Sequence, residues 1–170
     1  PAERERLLQR LADLIELNAH ELAEIESIDM GKSVSQALEV DIQGTIDTFR
    51  YFAGWATKIH GRTAEPSLPG NYLAYTRKEP VGVVGIIVPW NAPITLLVRS
   101  LAPAIAAGCT SVTKAAPQTA LVNEMVFKLL AEVDADGFNT DSGGRSAIPG
   151  ESKYHFPNQP LTHGFDGNAF

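Results

Sequence analysis

The chain has 170 residues, a formal net charge of −6, 20% charged and 44% hydrophobic residues, which is enough for one domain with a core of its own. The acidic balance, without clustered Lys and Arg, excludes nucleic acid and anionic membrane as expected partners, no apolar run nears the roughly 20 residues of a membrane span, and the opening P-A-E-R-E-R is no signal peptide. A single cysteine, Cys109, excludes an intrachain disulfide and a thiolate metal cluster and fits a reducing, cytoplasmic setting, while Pro1 in place of methionine leads to the expectation of an N-terminus that is processed, disordered or cut away.

In chain order, residues 2–29 carry Leu7, Leu8, Leu11, Leu14, Ile15, Leu22, Ile25 and Ile28 at steps that form one stripe of an amphipathic helix. Gly31 supplies its stop, since glycine most easily adopts the left-handed conformation past a helix end. A second helical pattern runs over 33–58, with Val34, Leu38, Ile42, Ile46, Phe49, Phe52 and either Trp55 or Ala56 turned inward, and Gly44 weakening its middle. The link G-R-T-A-E-P-S-L-P-G then leads to N-Y-L-A-Y-T-R-K-E, where large and polar residues alternate as on a strand with one exposed face. No hairpin partner stands out nearby, so this segment, about 71–79, is expected to pair with a distant segment or another subunit. Residues 81–88, β-branched and bounded by prolines, read as a strand buried on both faces. A helix over 94–107 stopped by Gly108, a strand over 110–113 and a helix over 117–133 follow. Strand, helix, strand, helix in that order predicts a right-handed crossover and a parallel sheet. From 134 to 170, six glycines, three prolines and the absence of any period of 2 or 3.6 predict an irregular tail.

Asn91 lies just past the carboxyl end of the strand 81–88, where open α/β sheets bind their ligands. Its amide can donate two hydrogen bonds to a developing oxyanion without any shifted pKa. The competing assignment is an N-cap for the helix that Pro93 opens, and spacing alone favours the cap. Lys114 closes the second strand, so its ammonium falls on the same sheet edge, within reach of ribose or phosphate oxygens. Taken alone it is equally a surface lysine. Cys109 has no base near it in sequence and reads as a small buried apolar residue. Gly82 and Gly85 do not complete G-x-G-x-x-G, and no G-x-x-x-x-G-K-[ST] loop occurs. His155, His163, Asp141 and Asp166 match no ligand spacing, so no metal is expected.

The segments E-P-V-G-V-V-G-I-I-V-P-W-N, A-P-A-I-A-A-G-C-T and K-A-A-P-Q-T-A resemble the N-terminal part of the aldehyde dehydrogenase superfamily. Y-L-A-Y-T-R-K-E-P resembles its bridging strand, and A-E-R-E-R-L-L-Q-R-L-A-D-L-I-E and M-G-K-S resemble its first helices, so the resemblance covers about 1–133. It implies an incomplete α/β fold: a helical N-terminal segment plus the opening strand-helix-strand of a parallel Rossmann-like sheet, with 134–170 as a tail without family match. It also implies NAD(P)-dependent oxidation of a small-molecule aldehyde to an acid. In that chemistry a cysteine thiolate attacks the carbonyl, hydride passes to the nicotinamide, and a glutamate-activated water releases the acyl group. On this resemblance Asn91 matches the asparagine that holds the thiohemiacetal oxygen, which outweighs the cap assignment. Ile87, Val88, Pro89 and Trp90 match the strand end along the cofactor, and Lys114 matches the lysine on the adenosine ribose, with Ala116 and Pro117 beside it.

Pro117 stands where many NAD-preferring members carry a glutamate that grips the ribose hydroxyls. NADP is therefore not disfavoured, and the implied cofactor is NAD or NADP. The family's G-x-T-x-x-G loop, its glutamate base in E-L-G-G-K and its nucleophilic cysteine have no counterpart here, and Cys109 does not match the catalytic position. D-G-F-N-T-D-S-G-G keeps an echo of the family's G-V-F-N turn, after which the similarity stops, and the hairpin strands before the first helix are absent. The expectation is a truncated, frameshifted or internal piece of a longer fold, inactive alone. Its alternative is a catalytically dead remnant that binds nucleotide or serves as an assembly module, with a homo-oligomer forming through the bridging strand.

Overall fold

A computed structural model of the chain describes residues 1–133. The predicted tail and the residues His155, His163, Asp141 and Asp166 lie outside the described residues.

The single helix expected over 2–29 is two, α1 (Ala2–Leu17) and α2 (Ala19–Met30). Asn18 separates them: its Nδ2 donates to Leu14 O at 2.7 Å and its backbone N–H to the same carbonyl at 3.1 Å, the local competition with helical pairing that asparagine offers. The break resets the phase of the stripe. Leu7, Leu8, Leu11, Ile15 and Leu22 are buried as expected, whereas Ile28 is 76% exposed and Glu26 takes the inward position instead. α2 ends at Gly31, whose φ of 82° is the left-handed cap anticipated from its residue type.

The second helical pattern is realised as α3 (Val34–Gln36), a π-helical turn (Ala37–Ile42) and α4 (Gln43–Trp55), with αR backbone at the junctions. Ser33 starts it, its Oγ accepting from Gln36 N at 3.3 Å. The wider π turn carries an extra residue per turn, and both Asp41 and its neighbour Ile42 are buried. Ala56, not Trp55, closes the inner face, and Val34 at the other end is exposed. Gly44 lies inside α4, and a methyl group added there would meet nothing within 4 Å. Gly44→Ala is therefore expected to stabilise the fold by roughly 0.5–1 kcal/mol, read as a higher urea midpoint at unchanged slope. A lower midpoint would count against an unstrained helical Gly44.

β1 (Thr63–Ala64) and β2 (Ala74–Tyr75) form an antiparallel pair, Thr63 opposite Tyr75 and Ala64 opposite Ala74. The strand expected over about 71–79 is thus only two residues long, and within the chain it pairs with the preceding link, so a hairpin partner does lie nearby. Gly61 allows the approach, because a Cβ there would sit 1.7 Å from Thr76 O. Thr76 N then donates to Arg62 O at 2.7 Å and extends the pairing.

β3 (Val83–Ile87), α5 (Pro93–Ala107) and β4 (Thr110–Lys114) form the predicted parallel unit, in register from Val83–Thr110 to Ile87–Lys114. Gly108 ends α5 at φ 84°. The last helix, α6 (Leu121–Val133), begins four residues later than expected: 117–119 form a turn closed by Thr119 N to Ala116 O at 3.1 Å. Its first turn is capped from afar, Val122 N donating to Asp29 Oδ2 at 3.0 Å.

Burial of β3 on both faces is not realised. α5 covers one face, where Ile86 and Val88 are buried, but Val83 and Ile87 are 69% and 81% exposed and Val112 of β4 is exposed with them. The apolar run asks for cover on both sides; the described residues supply it on one. The core itself lies among the helices, in one cluster drawn from α1, α2, α4, α5 and α6 with the inner residues of β3.

Candidate functional site

The two parallel strands end together. Ile87 and Lys114 are register partners, and Val88 N donates to Lys114 O at 2.9 Å as the last rung. Pro89 has no N–H with which to continue the ladder, so the chain leaves the sheet through Pro89, Trp90 and Asn91 and enters α5 at Pro93. The site residues inferred from sequence therefore share one edge, the carboxyl edge of β3 and β4.

Their side chains do not all face outward. Ile87, Pro89, Trp90, Asn91, Lys114 and Pro117 are exposed, whereas Val88 is 3% and Ala116 8% exposed. Val88 and Ala116 belong to the core and can offer a ligand only their backbone. Asn91 is not the cap of α5. That position belongs to Ala92, whose side chain caps nothing, with Pro93 as the first helical residue. Among the described residues the Asn91 amide makes no hydrogen bond. Cys109 is buried at the foot of β4, at the opposite end from this edge. The edge thus presents an amide with two donors, an ammonium, and the apolar surfaces of Ile87 and Trp90.

Behind it is a polar group that sequence reasoning missed. Lys32, just past Gly31, pairs with Asp41 Oδ2 at 2.5 Å and lies 3.6 Å from Glu26 Oε1. Thr95 Oγ1, in the first turn of α5, donates to Asp41 Oδ1 at 3.2 Å. Glu26 is fully buried, and neither of its oxygens meets full hydrogen-bond geometry. Burial first, and then the Asp41 charge, push its carboxyl up to about 7; Lys32 and the Ile94 N–H pull the other way. One signal was available: Glu26 follows buried Leu22 by four residues and Ala23 by three, so it shares their helix face.

The sequence profile of the aldehyde dehydrogenase family matches residues 1–148. Retinal dehydrogenase 2 of Homo sapiens is 51% identical over 120 residues, which are 71% of this chain and 23% of that protein. Aldehyde dehydrogenase 1A1 of Gallus gallus is 50% identical over 131 residues, 77% of this chain and 25% of that protein. Among solved structures, the NAD+ complex of aldehyde dehydrogenase from Bacillus cereus superposes with a TM-score of 0.74 at 48% identity, covering 78% of this chain and 26% of that one. The chain thus spans about a quarter of the length of these relatives.

Proposed function

The chain belongs to the aldehyde dehydrogenase family, and from that premise we propose that it supplies the oxyanion donor and part of the dinucleotide site of an NAD(P)-dependent aldehyde oxidation. The observation that carries this reading is the state of Asn91. It stands at the carboxyl edge of a parallel sheet, exposed, relieved of the capping role by Ala92, and without a hydrogen-bond partner among the described residues. Its amide is free to hold a carbonyl oxygen as that oxygen gains charge, an interaction stronger in the transition state than in the ground state.

The edge also fits a dinucleotide. Lys114 gives a cationic donor for ribose hydroxyls, and Ile87 and Trp90 give apolar surface beside it. Pro117 contributes no carboxylate that would repel a second phosphate, which leaves both NAD and NADP acceptable. When bound, the nicotinamide accepts the hydride. The residues of this chain bind, orient and stabilise charge, and none of them is the attacking thiolate: Cys109, the only cysteine of the sequence, is buried. We therefore propose that the 170 residues alone bind dinucleotide without turning over aldehyde.

Titration calorimetry of the chain with NAD and with NADP tests this, alongside an absorbance assay for nicotinamide reduction with an aldehyde present. Binding is expected, weakened about tenfold by Lys114→Ala, the loss of one charge-assisted hydrogen bond, and no reduction is expected. Absence of heat with either dinucleotide would remove the cofactor assignment, and a reduction rate abolished by Asn91→Ala would remove the inactivity.

A second reading, a catalytically dead assembly module, draws on the uncovered apolar face of Val83, Ile87 and Val112. Self-association in light scattering combined with no dinucleotide binding would favour it.

A further inference from the structure

We propose that Asp41 and Glu26, held by Lys32, brace the first turn of α5 and so act as positioning residues for Asn91, an inference that rests on Asn91 being the oxyanion donor. The first N–H groups of any helix lack partners within it. In α5 no side chain of the helix's own start supplies one, because its cap position is Ala92. Carboxylates from two other elements stand against this turn, bonded to it through the Thr95 hydroxyl rather than through a backbone N–H. Asp41, from the π turn, accepts from Thr95 Oγ1 at 3.2 Å, and Glu26, from α2, faces the Ile94 N–H. Negative charge at this end of a helix is favoured by the aligned peptide dipoles. Lys32, at 2.5 Å from Asp41 and 3.6 Å from Glu26, keeps the two acids together.

Asn91 immediately precedes Ala92, whose carbonyl accepts from Leu96 N at 2.9 Å in the opening turn. Pro93, next in the chain, has its own φ fixed and restricts the backbone of Ala92 before it. A shift of that turn is therefore transmitted to Asn91 through few free torsions. Glu26 makes the clamp proton-dependent. When it is protonated, Lys32 serves Asp41 alone; when it is ionised, Lys32 is shared and the turn faces two negative charges. Its carboxyl is pushed up to about 7, so both forms occur near neutrality. Among the described residues the charged groups that act on it are Asp41 from the π turn and Lys32, and α5 brings the Ile94 N–H.

The test follows the side-chain amide resonances of Asn91 in the 170-residue chain, labelled with heavy nitrogen at asparagine and assigned by their loss in Asn91→Asp. As pH rises through about 7 these resonances are expected to shift with a midpoint near that value, and in Glu26→Gln they are expected to stay fixed. Thr95→Val, which keeps the fold's volume but breaks the bond to Asp41, is expected to displace them at constant pH, while Thr95→Ser restores them. Amide positions indifferent to pH, or shifting equally with pH in Glu26→Gln, would overturn the proposal, as would Thr95→Val spectra that match the parent. The readout needs neither aldehyde nor dinucleotide. A chain that shows the coupling but binds no dinucleotide would therefore lose the functional reading and keep the clamp.

Discussion

Phe49→Ala is expected to cost roughly 3–5 kcal/mol, a large share of what holds a domain of this size together. Phe49 is fully buried on α4, the helix that packs on both α1 and α5, and among the described residues it is the largest wholly buried side chain. The other large aromatics near it cannot take its place: Phe52 is only partly buried, and Tyr51 and Trp55 point to solvent, where they pack on one another. Removal of the ring would leave a cavity inside the one buried apolar cluster that the helices share, and well-packed surroundings relax little. Denaturant unfolding of both proteins measures the difference as a fall in midpoint at constant slope. A loss below about 1 kcal/mol would mean that the helices close over the gap, contrary to the rigidity of packed cores.

The second large effect is a dependence of stability on pH that disappears in Glu26→Gln. The folded chain holds the Glu26 proton up to about 7, against 4.5 for the free carboxyl. Between those values the folded state binds a proton that the unfolded state has released, so stability falls as pH climbs through the interval and settles above it. Glutamine keeps the shape of the protonated acid and has nothing to lose. The variant is therefore expected to match the parent near the lower end and to exceed it above neutrality by about 3 kcal/mol, the free energy of a shift of that size. Unfolding midpoints across the range measure it. A parent whose stability rises with pH in this window would show that Lys32 and the start of α5 outweigh burial.

What the sequence revealed and what it hid divide by distance along the chain. Gly31, Pro93 and Gly108 act on their own backbone, and the helix limits they mark were read correctly. The parallel pairing of β3 and β4 also followed from element order, and with it the common edge of Ile87, Asn91 and Lys114. The break at Asn18 was hidden because apolar steps of seven bridge it without a gap. The cover expected on both faces of β3 was a statement about what its residues require, which depends on neighbours that a single strand cannot specify. The clamp around Asp41 joins positions 54 apart, and the cap on α6 joins positions 93 apart. Neither distance leaves a periodic trace.

The long reach of Asp29 to Val122 also orders events in time. α2 carries Glu26 and Asp29 three residues apart, facing the starts of α5 and α6. A chain emerging from the ribosome completes α2 some 93 positions before the backbone N–H it must receive. Until then the early helices hold two carboxylates prepared for ends that do not exist, and the late helices, once made, lack what closes their first turns. The cap on α6 therefore forms only once a loop of distant segments has closed, a step whose entropy cost is met late.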